Sequence, residues 1–175
     1  MRHTSFFLSL LLCLPICAQS PRINIGHIEK LTARATECVE VTLDGLALKL
    51  ALKVLKKDPI AYNVAKGIKG IYVNAFEFDA NVRISSDDIE MIRQQIKTPP
   101  WEQIVSVKSK KDGEDASVYI LADPKTEEIK GLAVIAVEKH SLALVNIVGS
   151  IKLEELSMLE GNFGLPKMDL TKVEK

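Results

Sequence analysis

Four extended runs follow one another between Trp101 and Ile151, separated by short polar connections, and this pattern predicts an antiparallel meander. The runs lie near Gln103 to Ser109, Ala116 to Ala122, Lys130 to Glu138 and Leu142 to Ser150. Lys111-Asp112-Gly113-Glu114-Asp115 and Asp123-Pro124-Lys125 have ordinary turn chemistry, whereas Lys139-His140-Ser141 is merely polar and short. The last two runs are apolar at nearly every position, which predicts that they occupy the centre of the sheet.

The N-terminal half adds helices and two more strands. From Gly26 to Glu37, Ile28, Leu31, Ala35 and Cys38 recur at spacings of three and four, the pattern of a short amphipathic helix. Val39-Glu40-Val41-Thr42-Leu43 alternates and is rich in β-branched residues, so it reads as a strand; Asp44 then offers an N-cap. In the helix predicted from Gly45 to Lys57, Leu46, Leu48, Leu50, Leu52, Val54 and Leu55 occupy most of the circumference and Lys49, Lys53 and Lys56 form one narrow stripe. So apolar a helix is expected in the core with its lysine stems reaching to water. A surface-seeking membrane helix and the wall of an apolar ligand cavity are the functional alternatives. Thirteen residues reach only about 20 Å, too short to cross a bilayer.

Asp58-Pro59 ends that helix, and Ile60 to Lys66 forms a turn or short helix stopped by Gly67. Ile68 to Asp79 reads as a strand, with Ile71 and Val73 on one face and Tyr72, Asn74, Phe76 and Phe78 on the other. Ser85-Ser86-Asp87-Asp88 is a helix start in which Ser85 caps and Asp88 supplies the reciprocal carboxylate; Ile89, Ile92 and Ile96 then face inward. Thr98-Pro99-Pro100 stops this helix, and a last one is predicted from Leu153 to Glu160, with the tail beyond Pro166 frayed. The fold class that follows is α+β: a single domain over residues 26–165, built on a mainly antiparallel sheet of five or six strands packed with three to five helices.

The chain opens with the three parts of a secretory signal: Arg2, the apolar run Phe6 to Leu14, and Pro15-Ile16-Cys17-Ala18 ending in a small residue. Cleavage after Ala18 gives a periplasmic or secreted product that starts with a lead-in over residues 19–25. A lipid anchor at Cys17 is disfavoured by Pro15 and Ile16 before it. The remaining 157 residues carry 22 basic and 23 acidic side chains, a balance that argues against nucleic acid as a partner. Cys38 is then the only cysteine, so no internal disulfide forms, and burial is its expected state.

Little chemistry is visible. His27 and His140 lack a second ligand at metal spacing and read as surface histidines. No Gly-x-Ser-x-Gly, His-Glu-x-x-His, Walker or dinucleotide pattern occurs, and Lys66, Gly67, Lys69 and Gly70 do not sit in the order a phosphate cradle needs. Asp87 and Asp88 could be taken for an acid pair, but neighbouring helical positions diverge by about 100° and capping explains them. Trp101, the one tryptophan, is expected to cover the core; exposed, it would be a binding hot spot. No catalytic, cofactor-binding or metal residue is assigned and no cofactor is implied.

Several segments resemble the exported bacterial domains of domain-of-unknown-function family 4252. They are Val39-Glu40-Val41-Thr42-Leu43 with the apolar helix, Gly67-Ile68-Lys69-Gly70-Ile71-Tyr72-Val73 with Phe76-Glu77-Phe78, Pro100-Trp101-Glu102-Gln103-Ile104-Val105, Gly131-Leu132, and Leu144-Val145-Asn146-Ile147-Val148-Gly149-Ser150-Ile151. The resemblance implies one exported domain, often a cell-envelope lipoprotein, with no established activity. Three functions are therefore weighed: a noncatalytic exported domain that binds an envelope protein, a carrier of an apolar small molecule in a helix-sheet cavity, and an enzyme with a dispersed acidic site drawn from Asp79, Asp87 and Asp88. Membrane association stays open beside the first.

Overall fold

The computed structural model describes residues 21–152 apart from 27, 28, 83, 98, 110, 112, 124 and 127. The predicted signal segment, His27, the helix from Leu153 to Glu160 and the tail lie outside the described residues. Within them the elements run α1 (Glu29–Thr32), β1 (Glu37–Asp44), α2 (Gly45–Leu55), α3 (Pro59–Ala65), β2 (Ile68–Glu77), α4 (Ser86–Ile96), β3 (Trp101–Ser109), β4 (Glu114–Ala122), β5 (Ile129–Val137) and β6 (Ser141–Ile151). The chain is an α+β domain with one six-stranded antiparallel sheet.

The strand order β1-β2-β6-β5-β4-β3 joins two units. One is the β1/β2 pair, with α2 and α3 in its connection; the other is the meander β3 to β6, whose last strand zips against β2. The two apolar strands β5 and β6 fall at the centre, as their composition predicts. Because β2 is second in the order and β3 is last, the chain between them must travel about four strand spacings, roughly 19 Å. Eleven residues of α4 span roughly 16 Å of that journey, so topology itself lays this helix across the sheet.

The core lies beneath α4. Ile89, Ile92 and Ile96 are buried on the helix, at the spacing expected, against Phe76, Phe78, Tyr119, Ile135, Leu142 and Leu144 of the sheet. Trp101 closes the β3 end of the same cluster and is buried. Ser85 Oγ accepts from Asp87 N–H at 3.2 Å and so caps α4. Asp88 does not complete a reciprocal cap: its carboxylate is turned to Arg34, 3.5 Å away, where it links the turn after α1 to α4. Near the other end, Arg93 lies 2.8 Å from Asp115 of β4, a charge contact that aligns no hydrogen bond at that oxygen.

Further sequence expectations change in the N-terminal half. The helix predicted from Gly26 to Glu37 is a single turn at Glu29–Thr32; Leu31 is buried, but the chain turns into β1 before Cys38. Asp44 precedes α2 without capping it, because its Oδ2 instead accepts from the Tyr72 hydroxyl at 3.2 Å. Most important, α2 is not a core helix. Only Leu48 on it is buried, while Leu46, Leu50 and Val54 are 73%, 53% and 71% exposed. α4 holds the core face, and α2 sits at the β1/β2 edge, where one side of it suffices for contact.

The seam between β2 and β6 depends on two glycines. Ser150 N–H donates to Gly67 O at 2.9 Å, and Gly149 has φ near +148°. A Cβ on Gly149 would stand 2.5 Å from both Gly67 O and Ile68 Cα, and backbone cannot move aside as a side chain can. Gly149→Ala is therefore expected to lower stability by about 3 kcal/mol or more in urea denaturation, against about 1 kcal/mol for Gly113→Ala, where φ is +73° but the space is open.

Candidate functional site

Side chains alternate across each strand, and the pairing register aligns those of one sheet face into rows. On the face opposite the α4 core, the middle row is valine in every strand: Val41, Val73, Val145, Val134, Val118 and Val105 are successive cross-strand partners. The row on one side reads Val39, Ala75, Ala143, Ala136, Ala116, Val107, and the row on the other reads Leu43, Ile71, Ile147, Leu132, Ile120, Glu102. Seventeen of these eighteen positions are apolar, and Glu102 at the β3 edge is the exception. None of the eighteen is fully buried, and Val39, Val41 and Val107 are 45%, 43% and 49% exposed. Six strands and three rows make a surface of roughly 600 Å². That is at or above the largest apolar patch a monomer ordinarily presents.

The two edges of this surface differ. At β3 the register slips between Gln103 and Val105, so Ile104 is an extra residue and is 45% exposed; such a bulge twists an edge away from further pairing. β1 has an unbroken register from Glu37 to Asp44 and is exposed along most of its length.

On the core side, a cleft of about 410 Å³ opens where the lead-in crosses β1, β2 and β6. The lead-in is tied down by two side-chain amides. Asn146 accepts from Ile23 N–H at 3.0 Å and donates to Pro21 O at 3.0 Å and Leu132 O at 3.2 Å. Gln95 of α4 accepts from Asn24 N–H at 2.8 Å and donates to Asn24 O at 2.9 Å. Each amide thus acts as a length of backbone, so the segment gains pairing without being a strand. Glu40, Thr42, Tyr72 and Asn74 face the cleft, and the Asn74 side chain, 7% exposed, has no hydrogen bond among the described residues. Burial and the bond to Asp44 hold the Tyr72 phenol above its ordinary pKa, while the Arg22 guanidinium, 4.3 Å from the ring centroid, pulls the other way.

The predicted acids do not come together. Asp79 and Asp87 are exposed, Asp88 faces Arg34, and none of the three lines a described cleft. The carboxylates that do share one are Glu77, Glu114 and Glu138, beside His140, around a second cleft of about 370 Å³. They are far apart in sequence, so no spacing announces them. His140 is half-buried with Nδ1 unpartnered, and among the described residues no group of three potential ligands could hold a metal ion. Cys38 is exposed, contrary to expectation, because β1 is an edge strand. No spacing in the sequence announces the valine row, because a row exists only once the register does.

The chain is an α+β domain whose single antiparallel sheet has one face under a crossing helix and, among the described residues, the other face apolar and part-exposed. The chain belongs to the family described as domain of unknown function (DUF4252), whose sequence model matches residues 33–159. No curated protein and no solved structure matches the chain significantly.

Two solution properties follow. A maleimide reagent should label Cys38 in the native protein, located by peptide mapping, at a rate close to that after denaturation; protection until unfolding would contradict the edge position. For Tyr72, a folded pKa above the ordinary value of 10.0 means that the phenol's contribution to stability is whole below pH 10 and is lost as pH rises through the folded value. Urea midpoints between about pH 9 and about pH 11 should fall more steeply for the wild type than for Tyr72→Phe.

Proposed function

We propose that this is a noncatalytic exported domain that binds an envelope protein through the open sheet face. The observation that carries the reading is the unbroken valine row with its apolar neighbours across all six strands. An antiparallel sheet with one solvated face normally alternates apolar with polar residues. Here both faces are apolar, so the sequence forgoes the solubility that polar residues would provide. Covering roughly 600 Å² of apolar surface is worth about 15 kcal/mol before the costs of association, which are of comparable size. The leader from Met1 to Ala18 supports export, and the dispersal of Asp79, Asp87 and Asp88 supports a role without catalysis.

A second reading, carriage of a small molecule, is favoured by Asn74. Its amide faces the 410 Å³ cleft with no protein partner among the described residues, which leaves it able to bond a ligand that carries hydrogen-bonding groups. α2, whose composition first motivated an apolar cavity, takes no part in lining this cleft.

Site-specific photo-crosslinking in the native envelope tests the first reading. A photoreactive residue at Val118 or Val134 should give a discrete protein adduct, a second copy of the chain included, while one at Thr42 on the opposite face should not. Val134→Lys should abolish the adduct formed from Val118 and shift stability by no more than about 1 kcal/mol, since the site is half-buried and a lysine stem can carry its charge to water. Equal adducts from both faces, or none from Val118 and Val134, would sink the reading.

A further inference from the structure

The outer side of α2 is a different kind of surface from the sheet face. At 100° per residue, Lys49, Lys53, Leu46, Leu50 and Val54 fall in that order within an arc of roughly 140°, and the buried Leu48 points the opposite way. Leu46, Leu50 and Val54 make one exposed apolar stripe, while Lys49 and Lys53 make an exposed basic stripe directly beside it. Lys56 and Lys57 continue the basic charge past the helix end, and Ile60 at the start of α3 is 55% exposed.

From Gly45 to Lys57 there are four lysines and no acid, although the whole chain balances 23 basic against 23 acidic residues; the remainder therefore carries four more acids than bases. None of the four lysines has an ion-pair partner among the described residues. A solvated helix face would not need exposed leucines, and a protein-binding face would not need an unneutralised run of lysines. Apolar side chains beside ammonium groups match one partner best: a surface with an acyl interior under a layer of phosphates. No described helix is long and apolar enough to cross a membrane, and α2 at roughly 16 Å has the length to lie in the plane of one.

We propose that α2 seats in the plane of an anionic phospholipid bilayer, with Leu46, Leu50 and Val54 entering the headgroup boundary and Lys49, Lys53, Lys56 and Lys57 against the lipid phosphates. This goes beyond the sheet-face reading and does not rest on it.

Cosedimentation of the protein, as recovered from an exporting host, with vesicles tests the proposal. Vesicles of phosphatidylcholine containing about one third phosphatidylglycerol should bind it, and pure phosphatidylcholine should bind it at least tenfold more weakly. Lys49→Glu with Lys53→Glu should weaken binding to the anionic vesicles roughly 30-fold or more, from the attraction lost per lysine. Leu46→Ser with Val54→Ser should also reduce binding at least tenfold. Lys111→Glu with Lys125→Glu, exposed lysines elsewhere, should leave it unchanged. Thermal melts should match the wild type throughout, because every altered side chain is exposed. Equal binding to both vesicles, binding to neither, or α2 variants that bind like the wild type would overturn the proposal; so would loss of an acidic protein partner in the α2 variants with vesicle binding intact, which would assign this face to a protein.

Discussion

The pairing of β2 with β6 is the constraint from which the rest of the architecture follows. It unites a strand pair from the first half of the chain with the last strand of a local meander, in register from Glu77 and Ser141 to Gly70 and Val148, with one shift before Ile68 meets Gly149. Once that seam forms, β3 is obliged to stand at the far edge, and α4 is obliged to cross the sheet to reach it. The helix then covers one face only. Gly67 and Gly149 let two backbones pass closely at the end of the seam, and Asn146, in the middle of β6, reaches past the core face to hold Pro21 and Ile23. Long-range pairing of this kind is slow to form, because the loop-closure entropy between residues near 70 and near 147 must be met first.

A sheet ordered in this way has a surplus of apolar surface. One helix and a short lead-in can cover the face that carries Phe76, Ile135 and Leu142. They cannot also reach the valine row, which lies across the thickness of the sheet. The row is flat because its members are identical in size, with a lower alanine row on one side and a higher leucine and isoleucine row on the other. Such a graded surface suits packing against a neighbouring sheet or helix.

Much of the fold was legible in the residues themselves. The meander strands, the capped α4 with its three inward isoleucines, the central place of β5 and β6 and the burial of Trp101 all follow from local pattern, because period, turns and caps are local properties. The failures share one cause. Leu46, Leu48, Leu50 and Leu52 recur every second residue, which puts leucine on two opposite sides of a helix and cannot say which side meets the sheet. Cys38 alternates like a core residue, yet β1 is an edge strand, and edge position is decided by the distant partnering of β2 with β6. Asp44 had the chemistry of a cap, but its carboxylate found the Tyr72 hydroxyl, 28 residues on in the chain. The candidate site was the least legible part for the same reason: each strand contributes one unremarkable valine, and only the register makes them a row.

The two apolar surfaces call for different partners because their charges differ. Within the three apolar rows of the sheet face only Glu102 bears charge, and it stands at the bulged β3 edge, so those rows gain from contact alone. The α2 face has its lysines interleaved with leucines, which draws an anionic surface over the distance of a Debye length, about 8 Å in physiological salt, before any apolar contact is made. Electrostatic steering acts first and weakly there, while apolar burial acts last and strongly on the sheet. A domain held to an anionic membrane by the first would meet envelope proteins at raised local concentration, which lowers the affinity that the second must supply.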